Sequence, residues 1–182
     1  MIGTMKNFID ENILDNLLIS NRSLISSVMI EFTNRCNLNC VFCTISHPNY
    51  KGMDMEEKTI EEVISLCREL GVKLIVISGH GETTILKNWE EIVNRLLEEG
   101  FTLSIISNMT KPLSWEQSVI FSKFSSIFVS IDSLNSNQLK ELRRGANSKT
   151  ILSNITLINT ASTLSGNTTK FIINFLLFYE NF

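Results

Sequence analysis

The sequence predicts an α/β protein built on a parallel sheet, and three observations carry that prediction. Short apolar runs alternate with longer stretches of amphipathic periodicity. The apolar runs are continuous, as in strands covered on both faces by helices. Polar and thiol residues gather just after the runs, where α/β folds, wound open or closed as a barrel, place their sites.

The elements follow in order. Phe8, Ile9, Ile13, Leu14, Leu17 and Leu18 recur at helical spacing, so residues 1–24 read as an N-terminal extension with a short helix over Phe8 to Ile19, ahead of one core domain over residues 25–182. The first strand is Val28 to Thr33. A helix follows from Glu56 to Leu70, with Ile60, Val63, Ile64, Cys67 and Leu70 on one face. Asp54 and Glu57 have capping-box spacing, and Gly71 suits the helix end. The second strand is Lys73 to Ser78. The next helix carries Trp89, Ile92, Val93, Leu96 and Leu97 and stops at Gly100. A third strand (Phe101 to Ser107), a short helix (Trp115 to Phe121) and a fourth strand (Ile127 to Ile131) come next. A helical stretch from Gln138 to Ala161, interrupted at Gly145, precedes a fifth strand, Lys170 to Phe178.

Composition narrows the function classes. The 182 residues suffice for one sizeable core, and 43% hydrophobic against 19% charged residues is a globular balance. A net charge of −3 without a Lys/Arg block gives no electrostatic footprint for nucleic acid or an anionic membrane. No apolar run has the length of a membrane span. Asp10, Glu11 and Asp15 break the N-terminal region in a way a secretory signal does not tolerate, and four Cys without a disulfide framework fit a reducing compartment. The expected location is the cytoplasm.

The chemistry is concentrated in Cys36-Asn-Leu-Asn-Cys40-Val-Phe-Cys43, directly after the first strand. Three thiols this close point to a soft metal centre, zinc or an iron–sulfur cluster. Three ligands, not four, leave one metal position open. The other strand ends carry Ser78-Gly79-His80-Gly81-Glu82, Ser107-Asn108-Met109-Thr110 and Ser130-Ile131-Asp132-Ser133, so polar residues collect on one rim.

With these residues in view, the chain resembles the radical S-adenosylmethionine enzymes over Val28 to Phe178. Cys36-x3-Cys40-x-Phe42-Cys43 matches their cluster motif, Gly81-Glu82 their Gly-Gly-Glu motif, Ser107-Asn108 their Thr-Asn-Gly segment, Ser130-x-Asp132 their fourth-strand pattern, and Arg143-Arg144-Gly145 the Arg-Gly that follows it. The resemblance implies a partial (β/α) TIM-like barrel, incomplete at its C-terminal side because the family core usually has six β–α units. It implies a [4Fe–4S] cluster on Cys36, Cys40 and Cys43, with the fourth iron open to S-adenosylmethionine. Glu82 and the Gly79–Gly81 backbone would meet the methionine amino group; Arg144, with Arg143 as its competitor, the carboxylate; Ser130 and Asp132 the ribose; Phe42 the adenine. Asn108 would serve the cofactor site or cap the next turn. The implied partners are a reductant such as flavodoxin or ferredoxin and a peptide or small-molecule substrate, a peptide being favoured by the fourth-strand pattern. A further C-terminal part or a partner is expected over the apolar edge at strand 5.

His80 stands where Gly is frequent, Thr83 where Pro is frequent and Met109 where Gly is usual; none removes a ligand. The competing reading is a zinc-stapled binding module in which His47 completes a Cys3His set. Cys67, on an apolar helix face, reads as a buried free thiol. No phosphate-loop run, complete dinucleotide fingerprint or Gly-x-Ser-x-Gly occurs.

Overall fold

The computed structural model describes residues 25–177. The expected helix over Phe8 to Ile19 and the last five residues lie outside that range. The chain forms β1 (Ser27–Ile30), β2 (Asn39–Cys40), α1 (Glu57–Glu69), β3 (Leu74–Ile77), α2 (Trp89–Glu98), β4 (Thr102–Ser107) and α3 (Trp115–Phe121). It continues through β5 (Ser126–Ser130), α4 (Ser136–Leu142), β6 (Arg143–Arg144), α5 (Ser148–Leu164) and β7 (Lys170–Asn174).

Five strands make one sheet in the order β1-β3-β4-β5-β7, every pair parallel. The order follows the chain without a reversal. Repeated right-handed crossovers therefore stack the helices on one face of the sheet, the winding of a barrel rather than of a doubly wound sheet. This is an α/β, partial TIM-like barrel whose strand ends form a single rim.

Burial alternates along the strands. Ile75, Ile77, Leu103, Ile105, Ile127 and Val129 are wholly buried, packed with α1, α2 and α3 residues in one core. Their neighbours Val76, Ile106 and Phe128 are only half-buried and line the opposite, lumen face. The continuous apolar runs thus do not mean full burial on both faces, because a partial barrel leaves its lumen open. Trp89, Phe121 and Phe124 pack in series, the first pair tilted at 5.2 Å between ring centroids and the second stacked at 5.4 Å. Both edges are apolar: Met29 on β1 and Ile172 and Ile173 on β7 are exposed.

Three local expectations change. Asp54 does not cap α1; Glu56 holds the N-cap position without a side-chain bond, and Asp54 is drawn away by Thr33 and Arg35. The interrupted helix is two helices separated by β6, which pairs antiparallel with β2, Cys40 opposite Arg143 and Asn39 opposite Arg144. The fifth strand leaves the ladder after Asn174, and the Leu176 N–H turns to the Asp132 carboxylate at 3.0 Å. Gly71, at φ 70°, ends α1 as its left-handed cap.

Candidate cofactor site

The cysteine loop is built as a closed excursion from the end of β1. Its ends are clipped together: the Asn34 N–H donates to the Met53 carbonyl (3.1 Å) and the Met55 N–H to the Phe32 carbonyl (2.8 Å). Asp54 accepts from the Thr33 hydroxyl at 2.6 Å and from Arg35 Nε at 2.7 Å. These bonds offset the entropy that closing the loop costs. Within it the Cys43 N–H donates to the Cys40 carbonyl (3.1 Å), and Cys40 is held from outside by the β2–β6 pairing.

Cys36, Cys40 and Cys43 all border one cavity of about 180 Å³. Gly79, Gly81 and Glu82 line it from the turn after β3, Ser107 and Asn108 from the end of β4, and Ser130 from the end of β5. Phe42, Arg143 and His80 also stand on its wall. Three strand ends therefore converge on the thiols that follow β1.

Glu82 is 2% exposed. Its carboxylate accepts from the Thr84 N–H (3.3 Å) and hydroxyl (2.8 Å), the Ser107 hydroxyl (3.0 and 3.1 Å) and the Asn108 N–H (2.8 Å). Four donors use the lone pairs a carboxylate has to offer. The group therefore joins the β3 turn rigidly to the end of β4. The turn before it is held by Glu31, whose carboxylate accepts from the N–H groups of His80 and Gly81. Glu31 is a site-building residue that the motifs do not identify; its signal in the sequence is a lone carboxylate in an apolar strand segment. A Cβ on Gly81 would run into the carbonyl oxygens of Thr33 and Arg35, so that position must be glycine for the turn to lie against the cysteine loop.

Met109 adopts φ 51°, the left-handed region. That explains in backbone terms why glycine suits this position. The turn is secured by Asn154 of α5, which donates to the carbonyls of Met109 (2.9 Å) and Lys111 (2.8 Å) and accepts from the Leu113 N–H (3.1 Å).

The remaining candidates separate. Asp132 is wholly buried and bound to Arg143, Nε to Oδ2 at 2.6 Å and Nη2 to Oδ1 at 3.2 Å; it does not line the cavity. The Arg143 guanidinium also lies over the Phe42 ring, 5.3 Å from its centroid. Arg144 faces a separate, more open cavity on the outer side of the cysteine loop, with Cys40, Cys43 and His47. Of the two arginines, Arg143 is the one brought to Glu82 and Ser130.

Burial pushes the Cys36 thiol up, helped by the Glu82 charge and opposed by N–H donors from Leu38 and Asn108. Burial likewise raises Cys40, to about 11, against the pull of Arg143. A metal must displace those protons to bind. Among the described residues no three Cys, His, Asp or Glu side chains stand close enough to share one metal ion. Three thiols on the wall of one cavity are a donor set that fits an iron–sulfur cluster. Cys67 is buried in α1, away from this cavity. No helix among the described residues is long and apolar enough to cross a membrane.

The profile of the radical SAM superfamily matches residues 30–176; that superfamily uses a [4Fe–4S] cluster and S-adenosylmethionine. A probable GTP 3′,8-cyclase of Methanocella arvoryzae is 31% identical over 111 residues, 61% of this chain and 36% of that protein. An S-adenosylmethionine-dependent nucleotide dehydratase of Selenomonas ruminantium is 27% identical over 128 residues, 69% of this chain and 46% of that one. Among solved structures, Streptococcus suis SuiB bound to S-adenosylmethionine superposes with a TM-score of 0.67 at 20% identity, over 87% of this chain and 36% of SuiB. The chain thus spans between a third and a half of the length of these relatives.

Proposed function

Because the chain belongs to the radical SAM superfamily, we propose that Cys36, Cys40 and Cys43 hold a [4Fe–4S] cluster and that S-adenosylmethionine binds in the adjoining cavity to start radical chemistry. When bound, those groups supply one-electron reductive cleavage of the sulfonium, giving methionine and a 5′-deoxyadenosyl radical that removes a hydrogen atom from a substrate. The electron comes from a small reductant of the flavodoxin or ferredoxin type. The observation that carries the reading is the convergence of all three thiols with Glu82, Ser130 and Arg143 on one cavity.

The chain's own residues divide the work of holding the cofactor. The N–H groups of the methionine amino group seek acceptors. Glu82, its lone pairs already used by the protein, offers its negative charge, and the Gly79–Gly81 backbone offers carbonyl oxygens. The N–H groups of His80 and Gly81 are spent on Glu31, so those two do not compete as donors. Arg143, not Arg144, reaches the cavity and suits the carboxylate. Ser130 takes the ribose, Phe42 packs near the adenine, and Asp132 acts through Arg143. For the substrate, the relatives named for GTP and nucleotide chemistry favour a nucleotide. A peptide rests on the fourth-strand pattern and a likeness of fold to SuiB.

Electron paramagnetic resonance of anaerobically reconstituted, reduced protein tests the reading. A [4Fe–4S]⁺ signal that changes on adding S-adenosylmethionine is expected. Zinc with no cluster signal would overturn it.

A further inference from the structure

The Asn108 side chain is buried, 6% exposed, and its orientation is fixed by its neighbours. Oδ1 accepts from the Thr110 N–H at 2.9 Å and from the Thr110 hydroxyl at 2.7 Å. A backbone N–H can only donate, so this amide cannot be flipped. Nδ2 must then face the cysteine loop, where its two hydrogens have two acceptors: Asn37 Oδ1 at 2.9 Å and Cys36 Sγ at 3.6 Å. The Leu38 N–H donates to the same sulfur at 3.4 Å. Among the described residues no N–H donates to the sulfur of Cys40 or Cys43, so Cys36 is the singled-out thiol. Asn37 Nδ2 returns to the Thr110 hydroxyl at 3.0 Å, closing a ring of hydrogen bonds between the cysteine loop and the turn after β4.

We propose that Asn108 is a positioning residue that tunes the cluster through its N–H donation to Cys36 Sγ, raising the cluster's reduction potential. The inference rests on the cluster reading above. Reduction adds negative charge to the cluster and its sulfur ligands, and a donor aimed at a ligand sulfur stabilises that added charge. The donor itself is buried, and a hydrogen bond from a buried group is stronger than one at a surface. The backbone donor Leu38 is insensitive to side-chain substitution; Asn108 is the adjustable one. The turn carrying it is anchored by Asn154, so the donor stays aimed whatever fills the cavity.

The test is an electron-paramagnetic-resonance redox titration of the full reconstituted chain, with iron and sulfide measured per chain. Asn108→Asp keeps an oxygen for the Thr110 N–H and loses the donor to sulfur; Asn108→Ala loses the donor without adding charge. Both are expected to hold a full cluster at a more negative midpoint potential than the parent. Thr110→Val loosens the ring but leaves the Asn108–Cys36 bond, and its potential is expected to match the parent. Unchanged potentials in both Asn108 variants would overturn the inference and leave the cluster reading standing. So would an equal shift in Thr110→Val, or loss of the cluster from both Asn108 variants, since either would make the residue a scaffold only. A parent chain that assembles no cluster would overturn both.

Discussion

Arg143 meets Asp132 in an ion pair closed to water, 2.6 Å from Nε to Oδ2, with the two side chains 9% and 0% exposed. Asp132 also accepts the Leu176 N–H, and Arg143 lies opposite Cys40 in the β2–β6 ribbon. One pair therefore ties together the end of β5, the cysteine loop and the chain leaving β7. Removing one partner strands the other as an uncompensated buried charge. Asp132→Ala is expected to cost about 3–5 kcal/mol, read by urea unfolding of the chain. The double substitution Asp132→Leu with Arg143→Met is expected to cost less than Asp132→Ala. A double variant as unstable as the single one would show that the pair matters for its shape and not its charge.

The four cysteines should behave as two classes. Cys36→Ala, Cys40→Ala and Cys43→Ala each remove a thiol from the shared cavity and are expected to abolish S-adenosylmethionine cleavage, with bound iron lost or sharply reduced. Cys67→Ala removes a sulfur buried in α1 among Ile60, Val63 and Ile64. Its cost is one of packing, about 1–2 kcal/mol for a group of this size, with iron content unchanged. Iron analysis of the four purified variants decides the matter. Equal iron loss from Cys67→Ala would defeat the three-ligand assignment.

What the sequence discloses here is what repeats or what is local. The apolar runs, the amphipathic faces and the polar residues after each strand locate the parallel sheet and its rim, since period and punctuation are local signals. The Cys36–Cys43 spacing is as local as a signal can be. The β2–β6 ribbon is hidden because it is two residues long on each side and joins segments about a hundred residues apart. The choice between Arg143 and Arg144 is hidden for the same reason: adjacent strand residues face opposite ways, and only the pairing with Cys40 sets which one turns inward. The Asp54–Glu57 spacing misleads because a tertiary partner, Arg35, outbids the helix N-terminus for the carboxylate. Glu82 is legible as a candidate site residue, but its four donors come from Thr84, Ser107 and Asn108, which no single motif spans.

Gly79 and Gly81 should respond unequally to alanine. A Cβ on Gly81 would strike backbone, including the Arg35 carbonyl oxygen at 2.7 Å, and the Glu82 N–H bonds to that same carbonyl at 2.8 Å. Relief requires the cysteine loop to move. The nearest atoms a Cβ on Gly79 would meet are those of the Glu31 side chain, which can give way at the cost of its bonds to the His80 and Gly81 N–H groups. Gly81→Ala is expected to cost about 1–3 kcal/mol, the usual range for overpacking, and to weaken S-adenosylmethionine binding; Gly79→Ala should be milder on both counts. Paired unfolding and equilibrium-binding measurements check this, and a Gly81→Ala chain that binds the cofactor normally would contradict the tight turn.

The Arg35–Asp54 clamp makes a prediction about acid. The Arg35 guanidinium, through its hydrogen bonds and charge, holds the Asp54 carboxyl below its ordinary value of 3.8, and the Thr33 hydroxyl adds to the effect. A carboxyl whose folded value is depressed binds protons more readily in the unfolded chain. Its contribution to stability is therefore complete above the ordinary value and disappears as pH falls through the lower, folded one; Arg35 stays charged throughout. Both side chains are partly exposed, at 46% and 39%, so the contribution is small and weakens with salt. Asp54→Asn deletes this titration. The stability difference between parent and Asp54→Asn should be constant near neutrality and shrink below about pH 4, more visibly at low ionic strength. Urea unfolding across that range is the measurement. Curves that run parallel down to pH 2 would show that the loop is closed by its backbone bonds alone, with the clamp a bystander.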